Sequence, residues 1–142
     1  GVAHVSGRAG GEVVHSAVAL SFWGGVDAGS GRVVDGHHPL CGTDLSGKVL
    51  AIPSGRGSCT GSSVLLQLLL TGRAPAAILL QELDEILVSG AIVAAELFGR
   101  SLPIVSLGPE GFDRAAGASY ASVDGPTVRF AAATEALGGA GE

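Results

Sequence analysis

Ala51-Ile52-Pro53-Ser54-Gly55-Arg56-Gly57-Ser58-Cys59-Thr60-Gly61-Ser62-Ser63 continues an apolar segment that starts at Val49 and leads into another, residues 64–70. The apolar residues 49–52 predict a strand, and the run after Ser63 predicts a helix. Between them lies a turn built from glycine and small hydroxyl residues. Strand, small-residue turn and helix together make the layout of an anion site. Gly55, Gly57 and Gly61 let the backbone come close to a ligand, and the first turn of the helix offers free N–H groups at its positive end. Arg56 adds a planar guanidinium suited to a carboxylate or phosphate, and Ser58, Cys59 and Thr60 line the same rim. In a plain turn, Ser58 or Thr60 is only an N-cap and the glycines only shape the bend. Arg56 argues against that economy, because a cation at the positive end of a helix needs an anionic partner. The Gly-Lys-Ser/Thr of a phosphate-binding P-loop is missing, and so is the third glycine of a dinucleotide fingerprint. The stretch therefore reads as an anion site and not a nucleotide site.

Working outward, the next segments repeat the pattern. Gly72 stops the first helix, residues 76–81 read as a buried strand, and a second helix over 86–98 ends at Gly99. Residues 102–107 read as a third strand. A βαβαβ unit with uninterrupted apolar strands predicts parallel pairing covered by helices, an α/β class. Before it, Val2, His4 and Ser6 alternate with Ala3 and Val5, glycines at 7, 10 and 11 interrupt, and residues 12–20 are strand-like again. Trp23, beside Gly24 and Gly25, reads as a core plug or a pocket wall. Residues 28–31 form a turn. After the third strand, residues 118–123 and 127–131 read as a hairpin around Asp124-Gly125-Pro126. The Ala/Gly-rich residues 132–142 read as a fraying tail.

The 142 residues are enough for one domain, and the 46% hydrophobic content reads as core or as a face covered by a partner. Mean hydropathy is +0.47, yet no run approaches the roughly 20 uncharged apolar residues of a membrane span. A net charge of -5 and 4% aromatic residues argue against a nucleic-acid surface. Cys41 and Cys59, without a signal-peptide pattern, point to free thiols in a reducing, cytoplasmic setting. A chain that starts at Gly1 reads as a subunit or a severed domain. His37, His38 and Cys41 offer three metal-type donors in one loop, but adjacent histidines point apart and no Cys-x-x-Cys or His-x₃-His partner exists. A loop whose polar groups bond the backbone fits better. Glu82, Asp84, Glu85 and Glu96 read as a solvated, helix-capping acidic face before a catalytic carboxylate set.

Five blocks stand in order: Ser-Phe-Trp-Gly-Gly-Val-Asp (21–27), His-His-Pro-Leu-Cys-Gly (37–42), Gly-Arg-Gly-Ser-Cys-Thr (55–60), Ala-Pro-Ala-Ala-Ile (74–78) and Glu-Leu-Phe-Gly-Arg-Ser-Leu-Pro (96–103). Over residues 1–131 they resemble the small subunit, or swivel domain, of the aconitase X family. That resemblance implies a β/β/α fold, a compact barrel-like sheet with flanking helices, which closes over a larger subunit or domain. It implies loss of water from a hydroxy acid, with an iron–sulfur cluster or iron and most substrate ligands on the larger part and no cofactor or metal in this chain. The superfamily's proton-abstracting serine falls on Ser58, with Arg56, Gly57, Cys59 and Thr60 as substrate contacts. Thr60 stands where the aconitase-like branch carries arginine, so the anion contact passes to Arg56 or to backbone N–H groups. Of the family's two activities, dehydration of cis-3-hydroxy-L-proline and of mevalonate 5-phosphate, the blocks look more like the hydroxyproline branch. Two other readings stay open: a noncatalytic anion-binding or carrier module, and a self-sufficient metalloprotein using His37, His38 and Cys41.

Overall fold

In the computed structural model, residues 2–5, 7–20, 25–27, 29–54, 60–82, 85–99 and 102–131 are described. Three parallel strands form the centre: β3 (Val49–Ile52), β4 (Ala77–Leu80) and β5 (Ile104–Ser106). They are joined by α1 (Thr60–Thr71) and α2 (Glu85–Phe98), so the predicted βαβαβ unit is present. Every residue of β3 and β4 is buried, which is why these strands read as continuous apolar runs. Gly72 and Gly99 stop the two helices with φ of 75° and 65°, a conformation that glycine adopts without a Cβ penalty.

Outside this unit, β1 (Val2–Val5) pairs antiparallel with β5, and β2 (Arg8–His15) pairs parallel with β3 through its last three residues. The first five residues of β2 pair antiparallel with β6 (Tyr120–Asp124), which continues into β7 (Thr127–Ala131). The strand order is β1-β5-β4-β3-β2-β6-β7. β1 and β2 are therefore four places apart, about 19 Å in a flat sheet, while the three residue steps from Val5 to Arg8 span at most about 11 Å. Only a curled sheet satisfies both, and the seven strands form a half-barrel.

Two apolar layers result. Leu50, Ile52, Ile78, Leu80 and Ile104 face Leu65 and Leu68 of α1, Ala91 and Ala94 of α2, and the long 16–48 excursion through Leu20, Val33 and Leu45. Val49, Ala51, Ala77, Leu79 and Val105 face the opposite way, onto Ala121 and Val123 of β6 and onto α3 (Gly108–Ala116) through Phe112 and Ala115.

Two expectations are corrected. The strand expected over 12–20 runs instead from Arg8 to His15, straight through Gly10 and Gly11. These glycines make no turn; they allow close approach, since a Cβ on Gly11 would lie 2.5 Å from the Gly47 carbonyl oxygen. The strand stops at Ser16, whose hydroxyl donates to the Val18 carbonyl at 3.1 Å and accepts the Val18 N–H at 3.0 Å, a local turn that competes with further pairing. α3 is the second correction, because the sequence reading placed no helix between residues 107 and 118. Pro109 near its start and burial of Phe112 and Ala115 hold it despite two glycines. The 118–131 hairpin is as expected, with Gly125 at φ 57° in the two-residue loop. The tail 132–142 and Trp23 lie outside the described residues.

Candidate active site at the carboxyl edge of the sheet

The stretch that reads as an anion site leaves the sheet at the carboxyl end of β3, where open parallel sheets bind ligands. Its departure is anchored. The Ile52 and Pro53 carbonyls accept the Gln81 and Glu82 N–H groups at 3.3 and 3.0 Å, and the Ser54 carbonyl accepts the Leu20 N–H at 3.4 Å. Pro53 has no N–H to offer and sits just past the last paired residue, where none is needed. The chain re-enters regular structure at Thr60, the first residue of α1, so strand and helix flank the stretch as expected. Arg56, Gly57, Ser58 and Cys59 lie outside the described residues, and of Thr60 only its backbone place at the helix start is described.

The start of α1 differs in charge from the other two described helices. α2 carries Glu85 in its first turn and α3 carries Glu110, each a carboxylate that offsets the positive helix end. α1 has no acidic residue in its first turn. No carboxylate of its own first turn offsets the partial positive charge of its N-terminal N–H groups.

The same edge brings together residues far apart in sequence. Register places Ile52, Leu80, Ser106 and Val2 in one row across β3, β4, β5 and β1. His4 Nε2 lies 2.8 Å from Ser106 Oγ. Sequence inspection missed this pair because 102 residues separate its members, and the alternation of β1 was its only local sign. His15 closes β2 in register with Ala51, its ring tilted at 38° and 4.7 Å from that of Phe112. Its Nε2 is buried with no partner among the described residues, and desolvation lowers its pKa below 6.5 against an opposing pull from Asp113.

The other candidates resolve into structural roles. His38 is buried; its Nδ1 accepts the Leu40 N–H at 3.1 Å, which leaves Nε2–H to donate to the Val18 carbonyl at 3.2 Å. Both ring nitrogens are engaged with backbone, as the loop reading expects. The His37 N–H is bonded to the Asp35 carboxylate, and Cys41 is an exposed free thiol. Among the described residues no three His, Cys, Asp or Glu side chains converge, so they do not fit a metal or cluster centre. Glu82, Glu85 and Glu96 are exposed, Glu85 at the start of α2, and Asp84 lies outside the described residues. Asp27 receives the Gly29 N–H and the Ser30 hydroxyl in the turn expected over 28–31, and these bonds lower its pKa. No described helix is long and apolar enough to cross a membrane.

With this geometry in place, comparison with known proteins is decisive for the family. The profile of the aconitase X swivel domain matches residues 1–130. This chain belongs to that family. A crystal structure of Thermococcus kodakaraensis aconitase X, in a holo form, superposes with a TM-score of 0.77 at 33% identity, covering 92% of this chain and 95% of that one. The cis-3-hydroxy-L-proline dehydratase of Pseudomonas aeruginosa is 65% identical over 117 residues, 82% of this chain. The swivel domain described here spans about one fifth of that dehydratase, 20% of its length. The phosphomevalonate dehydratase small subunit of Methanothermobacter thermautotrophicus is 49% identical over 88 residues, 62% of this chain and 67% of that subunit.

Proposed function

We propose that this chain is the swivel part of a hydro-lyase that dehydrates cis-3-hydroxy-L-proline, working with a large aconitase X subunit or domain. The observation that carries the choice of substrate is the 65% identity over 117 residues with a protein of that name, against 49% over 88 residues for a phosphomevalonate dehydratase small subunit. In this reading Ser58 is the base. Its hydroxyl, deprotonated in the closed enzyme, takes the proton from carbon while hydroxide leaves the neighbouring carbon, and a C=C double bond forms between them.

A serine hydroxyl is a poor base in water, so the site must supply charge stabilisation and exclude solvent. The uncompensated start of α1, the glycine backbone and Arg56 supply the first. Closure of a second body over the carboxyl edge supplies the second. The guanidinium of Arg56 and the N–H groups from Gly57 to Thr60 hold the substrate carboxylate. An iron–sulfur cluster or iron belongs, in this reading, to the larger body, where it supplies Lewis-acid chemistry to the departing hydroxyl.

Co-expression with the large aconitase X subunit or domain, followed by assay on cis-3-hydroxy-L-proline and mevalonate 5-phosphate, tests the substrate. Turnover of the first alone is expected; turnover of the second alone overturns it. Ser58→Ala is expected to abolish turnover, by 10³-fold or more as for loss of an essential base or nucleophile, roughly, while leaving assembly intact. Full activity in Ser58→Ala removes Ser58 as the base.

A further inference from the structure

β7 closes one side of the sheet, and the direction of its backbone leaves part of it without a partner. The Ala131 carbonyl accepts the Ser119 N–H at 2.9 Å, so Ala131 turns its polar groups toward β6. Hydrogen-bonding direction alternates along an antiparallel strand, so Thr127 and Arg129 do the same. Val128 and Phe130, opposite Val123 and Ala121, therefore turn their N–H and C=O outward. Among the described residues no strand lies on that side. An edge of this kind accepts an added strand unless something blunts it.

The side chains of the same two residues floor a groove. Val128 and Phe130 are half-buried, and with Leu107 and with Glu110, Gly111 and Arg114 of α3 they line a cavity of about 260 Å³. That is below the roughly 300–1,000 Å³ of a small-molecule site, and it suits side chains entering from a strand laid between β7 and α3. On the other face of β7 stands Arg129, exposed and without a carboxylate in ion-pair distance among the described residues; the nearby Asp124 is bonded to Arg8 at 3.2 Å. The occupant these features fit has an acidic residue opposite Arg129 and an apolar residue on each side of it, pointing into the groove. A second copy of β7 does not fit. The register that uses both outward residues of both copies sets Val128 against Phe130 and Arg129 against Arg129, like charges directly opposed.

Location points to the source of that strand. Leu107, at the head of the groove, donates its N–H to the Leu80 carbonyl at 2.7 Å, and Leu80 stands in register with Ile52 in the row that ends β3 and β4. The groove therefore opens from the edge over which the larger body closes in the reading above. We propose that an extended segment of the large aconitase X subunit or domain docks beside β7 as a further strand, bonded to the outward groups of Val128 and Phe130, with apolar side chains in the groove and a carboxylate on Arg129. This rests on the dehydratase reading for the existence of that body.

The test mixes this chain with the large aconitase X subunit or domain, follows amide hydrogen exchange residue by residue and measures affinity by calorimetry. In the free chain the Val128 and Phe130 N–H groups are expected to exchange fast and that of Arg129 slowly. With the large body at roughly ten times Kd, the first two are expected to slow by about tenfold. Val128→Pro removes an outward N–H and leaves the ladder to β6 intact, so it is expected to weaken the complex about fivefold, the share of one hydrogen bond. Arg129→Glu is expected to weaken it about threefold or more, with a larger effect at low salt. The exchange pattern is read on the unaltered chain and does not depend on how either variant folds. Unchanged exchange at 128 and 130 in a complex that forms and turns over substrate overturns the proposal and leaves the dehydratase reading standing. Absence of any complex overturns the proposal together with the partner it assumes. Protection of both amides in the free chain overturns it as well, whether at every concentration, as cover by residues 132–142 would give, or only at high concentration, as a second copy would.

Discussion

Replacing Gly11 by alanine puts a methyl group 2.5 Å from the carbonyl oxygen of Gly47, about 0.9 Å inside the 3.4 Å at which ordinary contact begins. The carbonyl has little room to retreat. The Gly47 N–H is bonded to Ala74 at 3.2 Å, and the next residue, Lys48, donates to Leu45 at 3.1 Å and accepts from Ala76 at 2.7 Å. The strand must move instead, and Gly11 is paired with Ala121 on β6 while Val13 is paired with Val49 on β3. Overpacking of this kind costs about 1–3 kcal/mol. With a urea slope of roughly 1.5 kcal/mol/M, the unfolding midpoint should fall by about 1 M. Gly36→Ala is the matched control, because a Cβ there meets nothing within 4 Å and its φ is not positive. It should leave the midpoint unchanged or raise stability by up to about 1 kcal/mol. Urea titrations followed by circular dichroism compare the two. If Gly11→Ala unfolds at the same midpoint as Gly36→Ala, the close approach of β2 to the 45–48 turn is wrong.

Ile78→Ala, at a fully buried position in the central strand, should cost about 2–5 kcal/mol, and a loss below 1 kcal/mol in the same titration would contradict its burial. Burial depresses the His15 pKa below 6.5, so the unfolded chain binds more protons than the folded one in that window; stability should rise with pH through it and fall on acidification. His15→Phe should flatten that slope, leaving the acid loss due to Asp27 and Asp44, whose hydrogen-bonded carboxylates titrate below 3.8 when folded. Ser62→Glu places a carboxylate in the first turn of α1, which should hold or raise stability by up to about 1 kcal/mol while weakening substrate binding in the assembled enzyme. Stability gained with unchanged affinity would show that the charge of this helix end plays no part in the site.

The parts of the fold that were legible in the sequence are those whose causes are local. β3 and β4 are buried on both faces and so read as unbroken apolar runs, and Gly72 and Gly99 mark the helix ends that their positive φ confirms. What was illegible depends on a distant partner. Gly10 and Gly11 look like a break until Tyr120, Ala121 and Gly47 are seen crowding them. α3 has weak intrinsic helix propensity and exists because Phe112 and Ala115 close the second apolar layer. For the site the division is similar. Strand and helix on either side of 55–59 were readable from 49–70 alone, whereas His4 meets Ser106 only because the first strand pairs antiparallel with β5.

The order of the strands also bears on the serine base proposed for this edge. Strand order puts β1 at one end of the β5-β4-β3 row, and the chain leaves β3 for α1 at the other. β3, β4 and β5 are short, three or four residues, and register sets their carboxyl ends level with one another and with the amino end of β1, so together they form a rim. Such a rim can orient an acid but cannot keep water from an alkoxide. The chemistry proposed for Ser58 therefore demands a second surface, and it demands that this surface arrive and leave with each turnover, since a permanently sealed rim would admit no substrate. The N–H groups of Gln81, Glu82 and Leu20 bond the carbonyls of residues 52–54, so the point at which the chain leaves the sheet is held by its neighbours and would give a closing partner a fixed edge to meet.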